Sequence, residues 1–381
     1  LAISATTATF QPQIWLGAPA TSGLALPAAQ PTPDQLYAPR GVFFNDDYLI
    51  VADSGNHRVL IWHGLPNRDH RPADVVLGQP DLYSEGPQAG GRGAERGLYL
   101  PTGVSVVAGR LLVADAWNHR ILIWNQVPDC SDQPADVVIG QPDFRSVEPN
   151  RGQSVDALGL YWPYGIAYVA GRCYVADTGN RRVLGWEGLP EPGQPPDLIL
   201  GQPSPHDHDE NRGGPANADS FRWPHGFAGD TTTLYVADAG NHRVLGWSPP
   251  PTSDQPANLV LGQPNFVKAQ EWPYGPQSAS GMRFPYAITL DAGVLAVADT
   301  ANNRVLIWEQ LPRTGVAHPA DQVLGQPDFG ANGENHWKAV ARNSLCWPYG
   351  IHLHRNRLAI ADSGNNRVMI WQRESDERSS I

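Results

Sequence analysis

The sequence predicts an all-β fold: a six-bladed β-propeller of four-stranded blades, with an N-terminal strand completing the last blade. Three observations lead there. One motif recurs six times, as "VADSGNHRVLIW", "VADAWNHRILIW", "VADTGNRRVLGW", "VADAGNHRVLGW", "VADTANNRVLIW" and "IADSGNNRVMIW", with its Asp residues 61–63 residues apart. A fixed period of that length marks a repeat architecture. Each period holds four short apolar runs bounded by Gly, Pro, Asp or Asn, which are strand signals. Finally, an extra copy of the fourth run, "IWLGAP" at 14–19, stands at the start, and the chain ends just after the third run of the sixth unit.

The first run follows a Pro, as in "PRGVFF", "PYGIAY" and "PYGIHL". The second ends at the motif Asp and the third begins at the motif Arg. The fourth is "DVVLGQP" or a relative of it. Four strands per unit and six units read as a propeller, because a closed ring leaves only short, protected edges. The chain divides into an N-terminal extension (1–12), one propeller (13–371) and a C-terminal tail (372–381). Short helical turns are expected at "QSVDALGL" and "HWKAVARNSL".

Gly (39) and Pro (36) make up about a fifth of the 381 residues, a density that breaks long helices. No apolar run approaches the length of a membrane span. The N-terminus shows no basic-then-apolar leader pattern. A soluble, monomeric protein of the cytoplasm or periplasm is expected. The net charge of −11 and a total of two lysines, Lys268 and Lys338, argue against nucleic acid as a partner. Cys130, Cys173 and Cys346 share no close spacing, which argues against a disulfide framework or a structural zinc site.

The motif Asp and Arg should be structural, because every blade repeats them. The pairs are Asp53 with Arg58, Asp115 with Arg120, Asp177 with Arg182, Asp238 with Arg243, Asp299 with Arg304, and Asp362 with Arg367. Each Asp ends one strand and each Arg begins the next, so the two lie close across a turn. Gly55 is expected in a left-handed conformation. Blade 2 carries Trp117 at that position, either straining or reshaping the turn, with its ring at a loop tip. His57, His119 and His242 alternate with Arg181, Asn303 and Asn366, the pattern of a solvated turn.

At these residues the chain resembles the NHL-repeat family. Pro-x-Gly-Ile followed by Val-Ala-Asp-x-Gly-Asn-His-Arg-Val is the family's repeat. The resemblance covers residues 13–371, and the added "LGQPDF" strand resembles a bacterial branch. It implies a propeller and leaves the activity open, since the fold serves scaffolds, enzymes and RNA binders alike. Related propellers hold zinc or calcium at the channel, and the superfamily's amidating lyase uses histidines from several blades.

A site is expected on the face that carries the long loops 20–38, 81–100, 143–162, 204–223, 265–284 and 328–347. Loops of that length in a compact fold are usually functional or flexible. The residue after the strand-opening Pro varies among blades: Arg40, Thr102, Tyr164, His225, Tyr286 and Tyr349. All but Thr102 are candidates to line a pocket for a small anion, a peptide end or a sugar. Trp117, and Trp272 and Tyr274 of "EWPYG", join them as binding candidates. Metal-ligand candidates are His206, His208 and Asp209 in "HDHDEN", His225, and His352 with His354, which share one face of an inner strand. No cofactor is expected beyond a zinc or calcium ion at such a position, and no nucleophilic triad, phosphate loop or paired carboxylates are recognisable. Two functions stay open: a non-catalytic propeller that binds a protein, peptide or small ligand, and a metal-dependent lyase or hydrolase at the channel mouth. RNA binding across the crown is a third, weaker option.

Overall fold

The computed structural model describes residues 9–20, 23–271 and 277–374. Six antiparallel sheets stand around a central channel, their strands in chain order from the channel outwards except in blade 6, whose outer strand is the first of the chain. The inner strands are Gly41–Phe44, Pro101–Val107, Pro163–Val169, Pro224–Gly229, Pro285–Asp291 and Pro348–His354. The motif forms the second strand, a 3-10 turn and the third strand of each blade. The ring closes as expected. Thr9–Gly17 pairs antiparallel with Arg367–Glu374, from Thr9 opposite Glu374 to Gly17 opposite Arg367, as the outer strand of blade 6. This strand begins four residues before the expected boundary at 13.

The core lies in the wedges between blades. Ile50, Ala52, Val59 and Ile61 of blade 1, for example, pack with Leu111, Val113, Leu122 and Trp124 of blade 2. Alternation along each strand sends one set of side chains to the preceding blade and one to the next, so both faces are apolar. The motif Trp residues are buried, and the indole N–H of five of them donates to the loop that follows the third strand, as Trp62 Nε1 does to Arg71 O at 2.9 Å.

The Asp–Arg pairs are fully buried in all six blades. In blade 3, Arg182 Nε donates to Asp177 Oδ2 at 2.7 Å, and the other carboxylate oxygen accepts from the Tyr161 N–H at 2.8 Å. The rest of the guanidinium donates to Pro205 O at 2.8 Å, Asp156 O at 2.8 Å and Gly159 O at 3.0 Å. One side chain thereby pins the long loop before its blade and the long loop after it. These loops are built structures. Three of them repeat the same turn, at Pro149–Gly152, Glu210–Gly213 and Glu334–Trp337; the first lies just upstream of one helical turn expected from sequence, the last overlaps the start of the other, and the middle one was not expected.

Two readings of the motif change. The left-handed residue is His57 (φ 54°) and its counterparts, while Gly55 lies within the 3-10 turn. Gly55 is small because the Tyr37 ring lies over it, 2.7 Å from where a Cβ would stand. Trp117 therefore needs no unusual backbone: Tyr99 makes room, with ring centroids 5.5 Å apart. The His position is also no solvated turn. His57 Nδ1 accepts from the Leu100 N–H at 3.1 Å, His119 Nδ1 from Trp162 at 3.1 Å and His242 Nδ1 from Phe284 at 3.2 Å. Asn303 and Asn366 accept equivalent bonds, at 2.9 Å, from Trp347 and Ala38. His and Asn alternate because each offers an acceptor that latches one blade to the next.

One strand was not expected. The two residues Gly315–Val316, from blade 5, pair in parallel with Leu259–Leu261 and extend blade 4 to five strands. They cover its outer edge.

Candidate functional site

The channel is a cavity of about 540 Å³ lined by the six inner strands. Arg40, Thr102, Tyr164, His225, Tyr286 and Tyr349 stand together at its crowned end, and Ala108 and Leu189 from the opposite face also line it. The glycine after each of these residues explains the close approach. A Cβ at Gly41, Gly103, Gly165 or Gly350 would stand 1.8–2.4 Å from a carbonyl oxygen of the next blade's strand-opening residue. At this level the inner strands meet backbone to backbone. Blade 5, with Ala287, is the exception.

The unrepeated side chains pack into a continuous row. Ring centroids are 4.2 Å apart for Tyr164 and His225, 4.4 Å for His225 and Tyr286, and 4.6 Å for Tyr286 and Tyr349. The Arg40 guanidinium lies 5.0 Å from the Tyr349 ring centre, within cation–π range. His225 is 0% exposed and Tyr164 5%, whereas Arg40, Tyr286 and Tyr349 are half-buried. Above them sit Trp162, Trp223, Phe284 and Trp347, with Trp223 and Phe284 stacked at 6.2 Å. Blades 3 to 6 thus give the mouth an aromatic side, and blades 1 and 2 contribute Arg40 and the buried Thr102, whose hydroxyl donates to Tyr164 O at 2.9 Å.

Burial sets the protonation states. It drives the His225 pKa down to about 3, a direction that the nearby Arg40 charge reinforces. It raises the Tyr286 phenol to about 12 and holds Tyr164 well above the ordinary tyrosine value. At neutral pH the Tyr164 and Tyr286 phenols and the His225 imidazole are therefore neutral. His225 Nδ1 bonds to Trp223 O at 2.8 Å; with that nitrogen donating, Nε2 is the acceptor. Nε2 and the Tyr164 hydroxyl are both buried without a hydrogen-bond partner. Among the described residues, Arg40 is the one with a formal charge in the lining, and no carboxylate faces it there.

This tautomer traces to a single break in the repeat. In five blades the latch acceptor holds the residue before the next strand-opening Pro, and that residue is left-handed: Ala38, Leu100, Trp162, Phe284 and Trp347 have φ of 46–52°. Such a conformation is costly before proline. Blade 3 has Arg181 at the latch position, and Trp223 does not adopt a positive φ. Its carbonyl instead accepts from the Ala239 N–H at 2.9 Å and meets His225 Nδ1.

Of the other candidates His352 also lines the channel, and the rest lie elsewhere or outside the described residues. Trp117 is 48% exposed on its turn against Tyr99, outside the channel lining. Trp272 and Tyr274 lie outside the described residues. His206, His208 and Asp209 occupy an exposed loop, where the His206 ring meets Val155 O at 3.1 Å. His352 packs on Phe43 and Phe44, with ring centroids 4.6 and 5.4 Å away, and His354 sits 3.5 Å from Asp46. Among the described residues, no three His, Cys, Asp or Glu side chains come together in a way that would hold a metal ion. The sequence reading missed the glycines of the inner strands and the role of Arg181. Both were signalled, by the "P-x-G" recurrence and by the one latch residue without a free acceptor.

The NHL repeat family matches residues 98–124, which cover the inner strand, turn and third strand of blade 2. No curated protein matches the chain. Among solved structures, the WD40 beta propeller domain of Doa1 is 11% identical with a TM-score of 0.47, over 97% of this chain and 98% of that one. The computationally designed Ika8 protein is 9% identical with a TM-score of 0.41, over 95% and 99%. A catalytically inactive virginiamycin B lyase from Staphylococcus aureus, solved with quinupristin, is 11% identical with a TM-score of 0.44, over 96% and 99%. At these values none of them bears on what this chain does. No helix among the described residues is long and apolar enough to cross a membrane.

Proposed function

For this six-bladed β-propeller with its NHL repeat, we propose the role of a non-catalytic binding module whose ligand occupies the crowned end of the channel. The observation that carries the reading is the cluster of Arg40, Tyr164, His225, Tyr286 and Tyr349 in one cavity, with two buried polar atoms left unpartnered. Buried polar groups are normally satisfied, and each one left open is a point where a ligand or water gains a hydrogen bond. The lining offers hydrogen-bonding groups and one cation among apolar walls. The exposed Trp117, Tyr161 and Trp347 give the same face a surface for a protein or peptide partner. A monomeric state is part of the proposal, which light scattering checks.

The experiment compares small molecules retained from a cell extract by the wild-type protein and by an Arg40→Met, Tyr286→Phe variant, using mass spectrometry of the denatured eluates. A compound enriched on the wild type, lost from the variant and recovered unaltered supports the reading. No differential retention, or recovery of the compound chemically converted, contradicts it.

A further inference from the structure

We infer that the channel takes an organic monoanion with an apolar body, its carboxylate paired with Arg40 and a hydroxyl or amine donor satisfying His225 Nε2. This deepens the binding-module reading and rests on it. Among the described residues Arg40 forms no ion pair, in a protein of net charge −11 in which most other arginines have a carboxylate partner. A half-buried guanidinium without a counter-ion, at the end of a cavity with no acidic residue in its lining, is a site for an anion. One positive charge with neutral phenols around it matches one negative charge, and a dianion would leave a charge uncompensated.

The rest of the lining sets the body of the ligand. Below the polar row the walls carry Val42, Val104, Ile166, Phe227, Ile288 and Ile351, one from each blade, with the polar Ser105, Thr289 and His352 among them. A volume of about 540 Å³ lies within the range of small-molecule sites. His225 adds selectivity for a donor. Its Nε2 is a buried acceptor held in place by the Nδ1 bond to Trp223 O, and a ligand hydroxyl or amine there replaces an open valence with a bond. The Tyr164 hydroxyl, 5% exposed and likewise open, is a second contact on the same side.

Calorimetric titration of the full chain with octanoate, 2-hydroxyoctanoate and 1-octanol tests the inference. The expected order is 2-hydroxyoctanoate tightest, then octanoate, with 1-octanol weaker than octanoate by about tenfold or more. Arg40→Met should abolish the preference for carboxylate over alcohol, and Arg40→Lys should retain part of it. His225→Phe should abolish the preference for the 2-hydroxy acid and leave octanoate affinity within about threefold. Each variant is compared only if its unfolding midpoint matches the wild type; His225→Leu, which likewise lacks an acceptor, replaces the Phe variant if that one is destabilised. Equal affinity for octanoate and 1-octanol, an Arg40→Met variant that still prefers the carboxylate, or no binding of either carboxylate overturns the inference. Binding of all three probes without charge preference overturns it while leaving the binding-module reading intact. Recovery of a probe in chemically altered form overturns the non-catalytic reading instead.

Discussion

Replacing Arg182 by Met tests the clamp at its best-defined point. The guanidinium is fully buried and makes four bonds, one to Asp177 and three to carbonyls of the two flanking long loops. Met fills similar volume but leaves the Asp177 carboxylate buried with two neutral donors, the Tyr161 N–H and Asn180 Nδ2, each at 2.8 Å. Summing the four lost bonds at charged-group values overshoots, because the loop carbonyls can regain water and the bonds are coupled. Removing one partner of a buried pair costs about 3–5 kcal/mol, and that is the expected loss. Removing the stranded charge as well, in Asp177→Asn with Arg182→Met, should recover part of it. The assay is the free energy of denaturant unfolding for the two single variants and the double variant. Hydrogen exchange should also quicken in loops 143–162 and 204–223, both of which this arginine holds. A single variant within about 0.5 kcal/mol of wild type, or a double variant no more stable than the sum of the singles, refutes the clamp.

Three further outcomes follow from the same geometry. His119 accepts the Trp162 N–H through an unprotonated Nδ1, and burial lowers its pKa to about 4. Its neutral form is favoured in the fold, so its contribution is complete above pH 6.5 and is lost as pH falls toward 4. His119→Asn, which copies the latch of blades 5 and 6, should lose about 1–2 kcal/mol less than wild type across that window; superimposable stability–pH curves would show that the latch histidine does not titrate with unfolding. Restoring the missing latch with Arg181→Asn should draw Trp223 toward the left-handed conformation and break its bond to His225, visible as a changed His225 tautomer in imidazole nitrogen spectra. An unchanged tautomer would separate the blade 3 exception from the site. Deleting residues 1–17 removes the outer strand of blade 6 and bares the Arg367–Glu374 edge. The melting temperature should drop steeply, and retention of the wild-type value would contradict closure by this strand.

The fold was legible because its determinants repeat. A period of 61–63 residues, four apolar runs and a displaced fourth run specify blade count, strand count and closure before any packing is considered. The Asp–Arg pairs were legible as structural for the same reason. What could not be read was direction and contact. Gly55 looks like a left-handed glycine in a single sequence, because a ring lying over it from residue 37 leaves no local trace. His57, His119 and His242 look solvated because His, Arg and Asn are all polar, while the shared acceptor serves a residue some 43 positions away in the next blade. The channel cluster was legible as a set of varied positions following a constant Pro. That its members touch one another, and that Arg40 stands without a counter-ion, depends on the ring being closed.

The repeated residues hold a frame in which the unrepeated ones poise a neutral, accepting His225 beneath the mouth. The direct measurement is the nitrogen spectrum of the His225 imidazole in histidine-labelled protein, assigned with His225→Phe and followed from pH 7.5 to about 5. A neutral ring protonated at Nδ1 and unchanged over that range is the predicted result, since burial holds its pKa at about 3. A ring protonated at Nε2, or one that takes up a second proton near the ordinary histidine pKa, would contradict it.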